Sequence, residues 1–147
     1  MYKRQLEPFG VEFNRHQSDK QIGHFYGALY EWLFANLCWK RKRPLRILEI
    51  GVSLNSPLGS FQVWQTHEDV LQVVGVDRDP MMGDVITPNA FVQGNAYSHE
   101  ILSELLTRFP DGFDLLIDDG SHRMQDQIFF LTEYWRLCVW CFSSSRT

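Results

Sequence analysis

The sequence predicts a doubly wound α/β domain with a Rossmann-like parallel sheet, and three observations carry that reading. Short apolar segments at 45–51, 71–77, 90–93 and 113–118 alternate with stretches in which apolar residues recur at helical spacing. Each apolar segment ends in glycine, acid or amide: Glu49 and Gly51, then Asp77, then Gly94-Asn95, then Asp118-Asp119. The chain has 147 residues, 44% of them apolar and 22% charged, which fits one domain with a real core rather than a disordered tail.

Residues 1–18, interrupted by Pro8 and Gly10, are expected to be irregular. An amphipathic helix is expected from about Ser18, with Ile22, Phe25, Tyr26, Leu29, Trp32, Leu33 and Leu37 on its apolar face. Ser18 or Asp19 is the expected cap, and Lys40-Arg41-Lys42-Arg43 reads as a solvated C-terminal end that suits the helix dipole. Pro44 stops this segment, which leaves 1–43 as an N-terminal helical part, 44–136 as an α/β core and 137–147 as a tail of one domain. Leu45 to Gly51 is the first strand, followed by a loop from Ser53 to Gly59 and a short helix through Phe61, Val63 and Trp64. Leu71 to Asp77 and Ala90 to Gln93 are further strands, with a helix over 98–108 carrying Ile101, Leu102, Leu105 and Leu106. Phe113 to Asp118 is the fourth strand, and a helix from about Ser121 to Arg136 follows. Buried apolar strands joined by helices imply parallel pairing with right-handed crossovers.

Charge narrows the function. The formal net charge is −4, which argues against a general nucleic-acid binder, and no apolar run is long enough to span a membrane. Residues 1–46 carry nine Lys/Arg against four Asp/Glu, whereas 47–126 carry three against thirteen. On charge alone this reads first as a solvated acidic surface; as a cleft, it would suit a cationic cofactor or a metal better than a phosphate-rich ligand. The three cysteines, Cys38, Cys138 and Cys141, form no disulfide framework, so the cytoplasm is the expected compartment. One Cys-x-x-Cys pair is short of the four ligands of a zinc site. Trp135, Trp140 and Phe142 are expected to be core residues.

In such sheets ligands lie beyond the carboxyl ends of the strands, where strand order reverses. The first strand runs Glu49-Ile50-Gly51-Val52-Ser53, with the next glycine at Gly59, which lacks the glycine spacing of a dinucleotide site and weakens a nicotinamide reading. Asp77 is placed to accept hydrogen bonds from a ribose diol. Acids at these strand ends would repel phosphate and tolerate the ammonium and sulfonium charges of S-adenosylmethionine.

The ordered strings Ile47-Leu48-Glu49-Ile50-Gly51-Val52, Val74-Gly75-Val76-Asp77, Phe91-Val92-Gln93-Gly94-Asn95 and Phe113 to His122 resemble the motifs of class I S-adenosylmethionine-dependent methyltransferases. Ile117-Asp118-Asp119-Gly120-Ser121-His122 resembles the branch of the macrocin and mycinamicin sugar O-methyltransferases and the cephalosporin hydroxylase-like proteins. Ser18-Asp19-Lys20, His24-Phe25-Tyr26 and Tyr30 to Phe34 fit that branch as well. The resemblance implies S-adenosylmethionine as cofactor, contacted by Glu49, Gly51, Asp77, Asn95 and Asp118. It implies Mg²⁺ on Asp119, His122 as general base, and a sugar or other small-molecule hydroxyl as acceptor. Such an ion would lower the pKa of the acceptor hydroxyl, and a neutral imidazole would take its proton. His122 faces the same cleft as Asp119 if Gly120 makes the turn and Ser121 starts the helix.

Relatives continue past the last helix into a fifth strand ending in an acidic pair that completes the metal site. Here 137–147 reads LCVWCFSSSRT, with at most a strand stub at Val139 to Phe142 and no carboxylate. The expectation is therefore a sheet without its C-terminal strands, an open apolar edge at the fourth strand, and self-association through it. The competing expectation is a truncated, non-catalytic relative that at most binds the cofactor.

Overall fold

The computed structural model describes residues 8–18, 20, 25–52, 59–80 and 86–139. Its centre is one parallel sheet of β1 (Leu45–Ile50), β2 (Val70–Asp77), β3 (Phe91–Gln93) and β4 (Leu115–Asp118), in the order β3-β2-β1-β4. The chain winds outward from β1 through β2 to β3, then crosses back to lay β4 on the other side of β1. The strand order therefore reverses between β1 and β4, and the expected doubly wound α/β class is observed.

Helices cover both faces. On one lie α1 (Phe9–Arg15), α2 (Gly27–Arg41) and α3 (Gly59–Thr66); on the other, α4 (His99–Arg108), α5 (Met124–Glu133) and a 3-10 turn at Tyr134–Leu137. The two-residue period of β1 divides its side chains between two cores. Leu45 and Ile47 join Phe9, Phe13, Tyr30, Phe34 and Trp64. Leu48 and Ile50 join Leu102, Leu105, Phe113 and Tyr134. Glu49 shares the parity of Ile47, so its carboxylate is carried under α3 rather than toward the strand end. Ser98 caps α4, its hydroxyl accepting from the Ile101 N–H at 3.3 Å.

Several expectations need correction. Residues 9–15 are helical, not irregular, because Pro8 stands just ahead of the first turn and Phe9 and Phe13 fall one turn apart on a buried face. The next described helix starts at Gly27 after Tyr26, with no side-chain cap; Asp19 and Ile22 lie outside the described residues. Ser18 Oγ instead accepts from the Lys20 N–H at 3.3 Å. The face that α2 buries is Tyr30 and Phe34, with Leu33 and Leu37 beside them, whereas Phe25, Tyr26, Leu29 and Trp32 are exposed.

The basic run is not simply solvated. Arg41 Nε and Arg43 Nη1 pair with the fully buried Asp114 carboxylate at 3.0 and 2.9 Å, tying the end of α2 to the start of β4. Helix α5 starts at Met124 rather than Ser121 and passes into the 3-10 turn after Glu133. Trp135 is exposed, not core, while Trp140, Cys141 and Phe142 lie outside the described residues. The strand stub begins earlier than expected: Cys138 bridges Phe113 in parallel, with the Phe113 N–H donating to Leu137 O and the Val139 N–H to Phe113 O.

His67 links α1 to this fold. Its ring stacks on Phe9 at 4.7 Å with an interplanar angle of 8°, and its Nδ1 accepts from the Asp69 N–H at 3.1 Å. Burial lowers its pKa below the ordinary 6.5 against the pull of Asp69, Glu68 and Glu12. A depressed folded-state pKa gives stability that is present above the unfolded value and is lost as pH falls through the folded one. Thermal melts should therefore lose stability between about pH 7 and pH 5, and His67→Phe, which keeps the stack, should flatten that slope. An unchanged slope in the variant would remove His67 from the account.

Candidate cofactor cleft

A cleft of about 280 Å³ opens at the carboxyl ends of the strands, at the reversal between β1 and β4. Its floor comes from Ile50, Gly51 and Val76, and its walls from Asp77 and Arg78 on one side and Asp119, Gly120 and Ser121 on the other. Gly94, Ala96 and Tyr97 close the third side.

Gly51 is required where it stands. Its φ is +84°, and a Cβ there would collide with the Asp119 carbonyl oxygen. The Gly51 N–H donates to Val76 O at 2.9 Å, holding the end of β1 to β2, and the Asp119 N–H donates to Ile50 O at 3.0 Å, holding the end of β4 to β1. Asp77 lines the cleft, with Oδ1 accepting from the Asp79 N–H at 3.0 Å. That Asx turn fixes the carboxylate.

The other candidates fall around the cleft rather than in it. Asn95 is exposed outside the lining, its Oδ1 accepting from Arg78 Nη2 at 2.6 Å and from the Tyr97 N–H at 3.3 Å. Asp118 Oδ1 accepts from Tyr97 Oη at 2.6 Å and from the Gly120 N–H at 3.3 Å. Glu49 lies beneath the floor, 1% exposed, with Ser60 Oγ donating to Oε1 at 2.5 Å and Trp64 Nε1 to Oε2 at 3.0 Å. His122 is exposed beside Ser121, on the extended stretch ahead of α5, because the helix begins two residues beyond it. Ser121 Oγ donates to Asp126 Oδ2 at 2.5 Å and so supports the first turn from outside it.

Two residues that sequence reasoning gave no role hold this arrangement. Lys20 is buried, with its ammonium against both Glu49 Oε1 at 2.9 Å and Asp119 Oδ2 at 2.5 Å. Burial works against the charge, but the two carboxylates outweigh it and hold the ammonium above the usual lysine range. Its one sequence signal was its place in Ser18-Asp19-Lys20. Tyr97 donates to Asp118 and accepts from the Ser121 N–H at 2.9 Å, bracing the chain from Asp118 to Ser121. Burial and then the Asp118 hydrogen bond raise its pKa, so it stays a donor. Tyr134 Oη donates to Ala96 O at 2.6 Å and fixes the neighbouring wall.

No family model matches the sequence. Two curated proteins of Streptomyces olivaceus do. The 8-demethyl-8-(2-methoxy-alpha-L-rhamnosyl)-tetracenomycin-C 3'-O-methyltransferase is 33% identical over 113 residues, 74% of this chain and 28% of its own length. The 8-demethyl-8-alpha-L-rhamnosyl tetracenomycin-C 2'-O-methyltransferase is 33% identical over 119 residues, again 74% of this chain and 29% of its own length. Among solved structures, the MycE methyltransferase of the mycinamycin biosynthetic pathway, in complex with Mg, SAH and mycinamycin VI, superposes with a TM-score of 0.75 at 23% identity. That match covers 91% of this chain and 37% of the MycE chain. Its complex with Mg and SAH gives 0.77 at 24%, over 91% and 35%.

The chain is thus similar in sequence to two sugar O-methyltransferases and shares the fold of the MycE methyltransferase. It spans less than a third of the two curated relatives it matches. Within this fold, Tyr97→Phe should cost about 1–2 kcal/mol in chemical denaturation, because it leaves the Ser121 N–H without its acceptor and Asp118 Oδ1 with only the longer bond from the Gly120 N–H. Hydrogen exchange at the Ser121 amide should rise by about tenfold; an unchanged rate would mean that Tyr97 does not brace the segment.

Proposed function

We propose that the chain binds S-adenosylmethionine in this cleft and serves methyl transfer to a hydroxyl of a sugar or other small-molecule acceptor. The observation that carries the reading is that Asp77 and Gly51, at the ends of β2 and β1, line one cleft with Asp119 beyond β4, in a chain 33% identical over 113 and 119 residues to two rhamnosyl O-methyltransferases. Bound there, S-adenosylmethionine supplies a methyl group on a sulfonium leaving group. Asp77 has Oδ1 oriented by Asp79 and accepts from the ribose hydroxyls, as a carboxylate at the end of the second strand does in nucleotide sites. Gly51 keeps the floor free of side chain, and the carboxylates of Asp77 and Asp119 favour a cationic over a phosphorylated ligand. His122, exposed next to the lining residue Ser121, takes the proton of the acceptor hydroxyl at an imidazole nitrogen. The acceptor O–C bond forms as the S–C bond breaks.

Magnesium accompanies SAH in the MycE complexes. Here Asp119 offers one carboxylate, already paired with Lys20, and no group of three His, Cys, Asp or Glu suited to a metal occurs among the described residues. These residues do not fit the ion by themselves, and no step is assigned to it. The single, already paired carboxylate of Asp119 favours a second reading, cofactor binding without transfer.

One pair of variants separates these readings. In calorimetric titrations with S-adenosylmethionine, Asp77→Ala should weaken binding by about tenfold or more, the loss expected when a charged acceptor is removed. His122→Ala should bind normally while methyl transfer to a glycoside hydroxyl falls by about 10²–10⁴-fold. Binding indifferent to Asp77→Ala would sink the site assignment. Binding with no transfer by the unmodified chain would leave the second reading.

A further inference from the structure

The Lys20 ammonium occupies the space between a carboxylate on β1 and one just past the end of β4. Its side chain is 5% exposed, Glu49 is 1% exposed, and Asp119 faces the cleft with 34% exposure. Glu49 is also held by Ser60 and Trp64, so it keeps its place whatever happens to Lys20. We propose that Lys20 is the internal counter-cation of the cleft, and that a divalent cation binds at Asp119 only by displacing it. The inference concerns the cleft of the proposed methyl transfer but rests on its ion pairs, not on turnover.

The two cations make different demands. A lysine ammonium needs only close approach to the carboxylate oxygens, and it is tethered beside them. A magnesium-like ion demands a near-octahedral oxygen shell at about 2.0–2.1 Å and gives up its waters reluctantly. Both draw on the one Asp119 carboxylate, whose Oδ2 the ammonium already holds at 2.5 Å, and its positive charge there opposes a second cation on the same group. With Lys20 charged, Glu49 and Asp119 leave one net negative charge; without it they leave two, one on each side of a gap the ammonium had filled. The other cation on the lining, Arg78, is turned to Asn95. Among the described residues no third metal-type donor reinforces Asp119, so the ammonium decides the competition.

The test is a titration with manganese chloride, without cofactor, so that failure to bind S-adenosylmethionine does not affect it. The unmodified chain and Lys20→Arg should bind no tighter than about 1 mM. Lys20→Met should bind one ion at least about tenfold tighter, and adding Asp119→Asn should abolish the gain. No gain in Lys20→Met, or a gain that survives Asp119→Asn, overturns the proposal. Should Lys20→Met fail to fold, the unmodified chain decides through acetylation of Lys20 mapped by mass spectrometry. No manganese binding at Asp119, or binding that exposes Lys20 to the reagent, is the expected result. Binding lost in Asp119→Asn that leaves Lys20 protected overturns it.

Discussion

The structure around the cleft depends on one buried ammonium. Lys20 joins the N-terminal part of the chain to Glu49 on β1 and to Asp119 just past β4, residues that sequence separates by 29 and 99 positions. Two strand ends carrying carboxylates side by side would repel each other, and Glu49 is too deeply buried for water to relieve the charge. Breaking such a pair from one side typically costs about 3–5 kcal/mol, with the lower end apt here because Asp119 is a third exposed. The ammonium lets both acids stay ionised while the cleft remains net negative.

The backbone makes the same junction tight. Gly51 lies against the Asp119 carbonyl, which leaves no room for a side chain between β1 and β4, while hydrogen bonds to Ile50 and Val76 tie β4 to β1 and β1 to β2. Tyr97 then fixes Asp118 and Ser121 from the side, and Tyr134 fixes Ala96. The chemical groups of the cleft are thus held by neighbours from the loop ahead of α4, the 3-10 turn after α5 and the N-terminal part rather than by the strands alone. The two cores, by contrast, need only apolar volume at alternating positions.

The strands were legible because their side chains obey a local rule. Apolar runs ending in glycine, acid or amide located β1, β2, β3 and β4 to within two residues, and the helical spacing of Ile101, Leu102, Leu105 and Leu106 marked α4. Local rules failed where tertiary contacts choose. Phe25, Leu29 and Trp32 are spaced as well for burial as Tyr30 and Phe34, but only the latter meet Phe9 and Trp64. Asp77 and Gly51 fell in the cleft because strand ends share an edge, whereas Glu49 missed it by the parity of its strand. Lys20 was beyond local reading: nothing within its own segment reveals carboxylates contributed by distant strands.

The central claim is that the carboxyl ends of β1, β2 and β4 form a ligand site set by these contacts. Hydrogen–deuterium exchange with and without S-adenosylhomocysteine tests it most directly. Protection is expected at Gly51, Asp77 to Asp79, Gly94 to Tyr97 and Asp118 to Ser121, with no change at the opposite sheet edge around Arg46 and Asp111 to Gly112. Protection at that opposite edge instead, or none at a concentration that saturates calorimetric binding, would contradict the account.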